Sequence, residues 1–262
     1  MTERLVLART TSGDGPPLVL VHGSGVDSRR WAPVLPSLAR HFTVHAVDRR
    51  GHGASGDGQG YRIEDEFDDL DGVLDEIGRD DAVLLGHSYG ALCALGAAAR
   101  GARLARLVLY EPPLAAAPGD YCPPGLIEAM RSAIDRGDGD GAAAAFATAL
   151  LGLDAAEIER RRRLGLWAGM AAGAAVVLRE LESVARYAMQ AKRFASCRQP
   201  TLLLVGAASP PEYQATAEAL GAVLAQAQIR RLDGEGHAAI DRAPALFVAA
   251  VRGFAGGTPQ PK

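Results

Sequence analysis

The chain has 262 residues, 48% hydrophobic and 23% charged, with a formal net charge of −3. Such a composition belongs to a globular chain with enough apolar side chains to bury a sizeable core. The near balance of charge argues against a nucleic-acid groove or an anionic membrane surface as partner.

The first stretch, MTERLVLARTTSGDG, carries charges early and has no apolar centre, so no signal peptide is expected. Short β-rich apolar runs then alternate with longer segments of helical spacing. RLVLA from Arg4 and PLVLVHG from Pro17 predict strands, and residues 29–40 a helix. FTVHAVD from Phe42 predicts a strand, 63–77 a helix, AVLLGHS from Ala82 a strand, 89–100 a helix, and ARLVLYE from Ala105 a strand. Later come TLLLVG from Thr201, a helix over 211–226, AQIRRLDG from Ala227 and a helix over 241–253. Several of the runs are continuously apolar, as parallel strands covered on both faces should be. The pattern predicts an α/β fold with a doubly wound, mostly parallel sheet.

The alternation breaks between residues 114 and 197, where Ala, Leu, Arg and Glu recur at helical spacing with interruptions at Gly137, Gly139 and Gly141. A crossover between parallel strands needs only about a dozen residues. The block therefore reads as an inserted helical lid, residues 114–197, on a core made of 1–113 and 198–255, with 256–262 as a flexible tail. In the lid, Trp167, Met170, Leu178, Leu181, Tyr187 and Met189 either line a pocket or form the inner face of packed helices. The run Arg160 to Arg163 reads as a solvated helix face rather than an anion site. Cys93, Cys122 and Cys197 are scattered without paired spacing, which suits a reducing compartment and neither a disulfide framework nor a zinc site. No window reaches the roughly 18 uninterrupted apolar residues of a membrane span. A cytoplasmic location is expected, with a small molecule as partner, neither nucleic acid nor membrane, and a homodimer left open.

Chemistry concentrates in Gly86-His87-Ser88-Tyr89-Gly90, which joins a buried strand to an Ala-rich helix. A sharp strand-to-helix turn strains the backbone at Ser88, and flanking glycines remove side chains that would collide there. The Ser88 hydroxyl is thereby held at the carboxyl edge of the sheet, and it needs a base to take its proton. Of the six histidines, His22, His52 and His87 sit in turn motifs, while His41 and His45 flank a strand. His237, in LDGEGHAAIDRAP after the last strand, is the expected base. An oxyanion hole would draw one backbone N–H from Tyr89 and another from the HGSG turn, from Ser24, with Gly23 beside the substrate. No His/Cys cluster is present, and no metal or other cofactor is expected.

HGSG, DRRGHGASG (from Asp48), GHSYG and GEGH, in this order and spacing, resemble the α/β-hydrolase superfamily over nearly the whole chain. The resemblance implies a lid inserted after the strand bearing Leu107 to Tyr110, and a structural turn at DRRGHGASG with no catalytic role for Asp48 or His52. It also implies an acid that orients the base. In many relatives this is an Asp shortly after the Gly ending the penultimate strand, where this chain has Ser209. A minority of the superfamily carries the acid one strand earlier, which here is Glu111 in LVLYEPP. Glu111 is the expected acid; Glu212, or no acid at all, are the alternatives. A Ser at the elbow disfavours the branches whose nucleophile is Asp. The activity implied is a serine hydrolase for a carboxylic ester, lactone or thioester of small to medium apolar substrate. A cofactor-free cyclase, lyase or C–C cleaving enzyme, or a ligand-binding protein on the same fold, are the other readings.

Overall fold

A computed structural model describes residues 4–114, 122–165, 167–186 and 191–256. In chain order the core opens with β1 (Arg9–Ser12), β2 (Pro17–Val21), a 3-10 turn (Ser28–Trp31), α1 (Leu35–Leu38) and β3 (Thr43–Val47). It continues with α2 (Ile63–Ile77), β4 (Val83–His87), α3 (Tyr89–Ala99) and β5 (Arg106–Tyr110). The insertion follows as α4 (Leu126–Asp135), α5 (Gly139–Leu151), α6 (Ala155–Arg163), α7 (Ala168–Ala172) and α8 (Ala174–Arg186). The core resumes with β6 (Thr201–Gly206), α9 (Pro211–Val223), β7 (Ala227–Leu232), α10 (Ala239–Arg242) and α11 (Pro244–Ala255).

The strands form one seven-stranded sheet in the order β1-β3-β2-β4-β5-β6-β7. Only β1 is antiparallel to its neighbour. Side chains alternate across the pleat, as a period of two requires. Leu18, Leu20, Val83, Leu85, Val108 and Leu202 pack on one face with Trp31, Phe247 and Val251. Val19, Val21, Leu84, Leu107 and Leu203 pack on the other with Phe67, Leu92 and Leu220. Both faces are covered, so the strands read as unbroken apolar runs. β2 turns outward to β3 while β4 returns on its other side, which makes the β2/β4 boundary a topological switch point with a crevice at the carboxyl ends.

Three expected elements differ from the observed ones. Residues 4–8, expected as a strand, do not form one; the first strand is the following segment, Arg9–Ser12. Before that, backbone groups are taken by side chains: Leu5 N–H donates to Asp69 (2.7 Å) and Ala8 N–H to Ser55 (2.8 Å), which removes them from any ladder. The helix expected over 29–40 is a 3-10 turn and a single helical turn, because Pro33 and Pro36 cannot donate in the interior of a helix. The last helix starts earlier and breaks at Ala243 (φ −137°, ψ 57°), immediately before Pro244.

Among the described residues of the insertion every element is helical, and it has its own apolar cluster of Met130, Phe146, Ile158, Trp167, Leu178 and Leu181. The arginine run ends α6 on an exposed face, with Arg160 and Arg161 paired to Glu157. Cys93, Cys122 and Cys197 are free thiols. No helix among the described residues is long and apolar enough to cross a membrane.

Candidate active site

Ser88 alone makes the turn between β4 and α3, with φ 54° and ψ −127°. That conformation costs about 1–3 kcal/mol for a residue with a side chain. The surroundings hold it in place. Ser88 N–H donates to the Tyr110 carbonyl (2.9 Å), one strand over. A Cβ on Gly90 would lie 2.3 Å from the His22 carbonyl oxygen, and one on Gly86 2.3 Å from that of Gly90, so only glycine lets these backbones approach.

The HGSG turn leaves β2 against this elbow. A Cβ on Gly23 would lie 3.0 Å from Ser88 Cβ and 3.6 Å from its Oγ, which places the turn's backbone beside the hydroxyl. Among the described residues, neither Ser24 N–H nor Tyr89 N–H is hydrogen-bonded to another backbone group. The insertion roofs this turn. Phe146 Cε1, Val177 Cγ2 and Met170 Cε lie 3.4, 3.6 and 3.8 Å from where a Cβ on Gly25 would stand.

His237 sits in the loop between β7 and α10, and its Nδ1 lies 2.5 Å from Glu111 Oε2. Glu111 follows β5 and is fully buried. Its N–H still donates to Leu204 O (3.2 Å) as the ladder would require, but its φ of 49° swings the chain out of the sheet before Pro112 and Pro113. The second carboxylate oxygen, Oε1, accepts from Gly206 N–H (2.7 Å) and from the Ser209 hydroxyl (2.5 Å). With Nδ1–H committed to the carboxylate, Nε2 is the basic nitrogen.

The loop bearing His237 is held from several sides. Tyr110 Oη donates to the Gly236 carbonyl and accepts from Ala239 N–H (3.1 Å). A Cβ on Gly206 would lie 2.4 Å from the Glu235 carbonyl oxygen, so β6 and the loop touch backbone to backbone. The His237 ring lies between those of His87 (centroids 4.6 Å apart) and Tyr213 (5.1 Å, interplanar 23°). Burial above all, then the nearby charges of His237 and Arg30, hold the His87 pKa well below its ordinary value. A neutral His87 donates from Nε2 to the His237 carbonyl (3.2 Å).

The fold thus brings Ser88, His237, Glu111, Ser24, Tyr89, Gly23 and Met170 to one rim of the sheet. Trp167 packs in the cluster internal to the insertion, its indole N–H on Asp140 (2.7 Å), and Leu178 and Leu181 lie in the same cluster. Glu212 is exposed at the start of α9. Tyr187 and Met189 lie outside the described residues. Asp48 accepts from Ser28 N–H and Ala54 N–H (2.8 Å each), which is a turn-closing role. Sequence reasoning missed Tyr110 and Tyr213: Tyr110 reads as one more apolar strand residue, and nothing in spacing announces Tyr213. Ser209 stood out only as the position where relatives carry an Asp, and its hydroxyl donates to Glu111 instead. Among the described residues no group of His, Cys, Asp or Glu could hold a metal ion.

A strained Ser at a strand-to-helix elbow and a His on a buried carboxylate lie at the carboxyl ends of one sheet, and the chain matches the Alpha/beta hydrolase family over residues 18–250. The chain belongs to the alpha/beta hydrolase family. An alpha/beta hydrolase from Sphaerobacter thermophilus superposes with a TM-score of 0.82 at 32% identity, covering 97% of this chain and 99% of the other. A thermophilic esterase from Thermogutta terrifontis superposes with a TM-score of 0.72 at 27% identity, covering 94% and 92%. The 2-(acetamidomethylene)succinate hydrolase of Mesorhizobium japonicum is 37% identical over 107 residues, 40% of this chain and 38% of that hydrolase. The match thus spans about two fifths of that curated relative's length.

Proposed function

We propose that this alpha/beta hydrolase is a serine hydrolase that cleaves a carboxylic ester, lactone or thioester of small to medium apolar substrate through an acyl-enzyme on Ser88. The observation that carries the reading is the Glu111 carboxylate on His237 Nδ1 (2.5 Å), at the rim that bears the Ser88 elbow. The carboxylate holds the tautomer in which Nε2 accepts a proton, and it stabilises the imidazolium that results.

In the acylation step Ser88 Oγ attacks the carbonyl carbon and its proton passes to His237 Nε2. The carbonyl oxygen gains charge facing Ser24 N–H and Tyr89 N–H. Each such donor is worth about 10²–10³ in turnover. Collapse breaks the bond to the leaving group, which receives the proton from His237. Water then attacks the acyl carbon, gives a proton to His237, and the acid is released as Ser88 recovers its hydrogen. Phe146, Met170 and Val177 above the oxyanion turn favour an apolar acyl or alcohol group. The likeness to an esterase supports ester chemistry. Three free thiols suit a cytoplasmic setting.

The test is a panel of chromogenic esters of increasing acyl length, run beside Ser88→Ala, together with labelling by a fluorophosphonate. Wild-type protein should hydrolyse short to medium esters and be labelled at Ser88, and Ser88→Ala should lose at least about 10⁴-fold in kcat. Undiminished hydrolysis by Ser88→Ala would overturn the reading.

A further inference from the structure

Glu180, on α8 of the insertion, is fully buried although nothing in the chemistry above uses it. Its Oε1 accepts from Arg49 Nη2 (2.7 Å) and lies 2.8 Å from His52 Nε2. Burial would raise this carboxyl, but Arg49 first and then His52 outweigh it and hold the pKa below the usual carboxylate range. Arg49 is equally buried, and its Nη1 donates to Glu66 Oε1 (2.7 Å) on α2.

Arg49 also donates to the oxyanion turn, while its Nη2 lies 3.2 Å from His52 Nε2. Nε donates to the His22 carbonyl (2.9 Å) and Nη2 to the Gly23 carbonyl (3.1 Å). Arg49 N–H donates to His22 Nε2 (3.0 Å), which leaves His22 Nδ1 to carry the proton that meets the Gly23 carbonyl (2.8 Å). The Gly23 carbonyl and Ser24 N–H are two ends of one planar, trans peptide. Fixing the oxygen toward Arg49 therefore aims the N–H the opposite way, and a cation at the oxygen polarises the peptide and strengthens the N–H as a donor. The other donor residue rests on the same cation. The Arg49 guanidinium lies 4.9 Å from the Tyr89 ring centroid, and Tyr89 Oη is 2.7 Å from Tyr61 Oη, which donates to Glu66 (3.0 Å).

We infer that Arg49 and the lid residue Glu180 are positioning residues for the oxyanion hole, so that Ser24 N–H is correctly aimed only when the helical insertion is docked with its carboxylate on Arg49. The inference rests on the serine-hydrolase reading and adds to it a function for the lid: part of the oxyanion scaffold is supplied from the insertion, 131 residues away from Arg49 in the chain.

The experiment compares wild type, Glu180→Gln and Glu180→Asp in kcat and KM on one chromogenic ester. It adds the inhibition constant of an alkyl boronic acid, whose tetrahedral adduct with Ser88 places an oxygen in the oxyanion hole. Arg179→Ala serves as control, because it breaks the neighbouring lid contact to Asp57 (2.6 and 2.7 Å) without touching Arg49. In the Glu180 variants kcat should fall about 10–100-fold with boronate affinity falling in parallel, while KM stays within about twofold. Arg179→Ala should keep kcat within about twofold. The inference is overturned if a folded Glu180 variant keeps both kcat and boronate affinity, or if Arg179→Ala loses as much as they do. Glu180→Asp retains the charge and shortens the reach, so it carries the test should Glu180→Gln not fold. A wild type that neither hydrolyses esters nor reacts at Ser88 would instead refute the serine-hydrolase reading itself.

Discussion

Replacing Glu111 by Gln changes one atom of the site, and the surroundings decide which way the amide must face. Glu111 Oε1 is the acceptor for both Gly206 N–H and the Ser209 hydroxyl, at 2.7 and 2.5 Å. An amide nitrogen in that position would confront a buried N–H and leave it unpaired, at about 1–3 kcal/mol. A preference of about 2 kcal/mol is roughly thirtyfold in population, so the Gln carbonyl takes the Oε1 position and its NH2 faces His237 Nδ1. His237 must then present a lone pair at Nδ1 and carry its proton on Nε2, where it can no longer accept one from Ser88. The expected loss in kcat is about 10⁴-fold, or about 5.5 kcal/mol in the barrier. Shape and volume are unchanged, so the thermal midpoint should move little. The assay is ester hydrolysis with a parallel melt, and 15N NMR of the His237 ring reports the tautomer. Turnover within about tenfold of wild type, in a folded Glu111→Gln protein, would refute the assignment of Glu111 as the acid.

Tyr110→Phe removes the hydroxyl that bridges the Gly236 carbonyl and Ala239 N–H across the His237 loop. It should cost about 1–3 kcal/mol by urea melt and lower kcat while KM holds, and unchanged stability and kcat would exclude this bracing role. Asp69 is fully buried, and desolvation outweighs its bonds to Leu5 N–H and Arg50, raising its pKa from 3.8 to about 6. Between about pH 4 and 6 the folded chain holds a proton that the unfolded chain releases, so this group's contribution to stability falls as pH rises through that window, by up to about 3 kcal/mol. Asp69→Asn should lack that slope. Unfolding free energies of the two proteins that run parallel from about pH 4 to 7 would contradict it.

The elbow at Ser88 was legible because its causes lie within a few residues: an apolar strand, a glycine two positions to either side, and an Ala-rich helix. His237 was legible for the same kind of reason, as a His in a glycine-bracketed loop after the last strand. The unbroken runs of β2, β4, β5 and β6 announced a sheet covered on both faces, and the absence of strand pattern in residues 114–197 announced an inserted helical block. Where local signals competed, the reading slipped. Apolar residues at 5–8 resemble a strand, yet Asp69 and Ser55 occupy backbone groups of Leu5 and Ala8. Helical spacing at 29–40 gave way to two prolines.

By itself the sequence determined what is short-range: hydrophobic period, the steric demands of Gly and Pro, and hence the strands, the elbow and the fold class. Glu111 stood out as an acid ending an apolar run, but its bond to a ring 126 residues away depends on β6 lying beside β5 and on Gly206 letting the His237 loop approach. Glu180 carried no signal at all, since an acid on an amphipathic helix reads as solvated until the helix is docked. Such contacts follow from strand order and from how an insertion folds back over the sheet, and no local pattern in a chain encodes the distance between two of its remote residues.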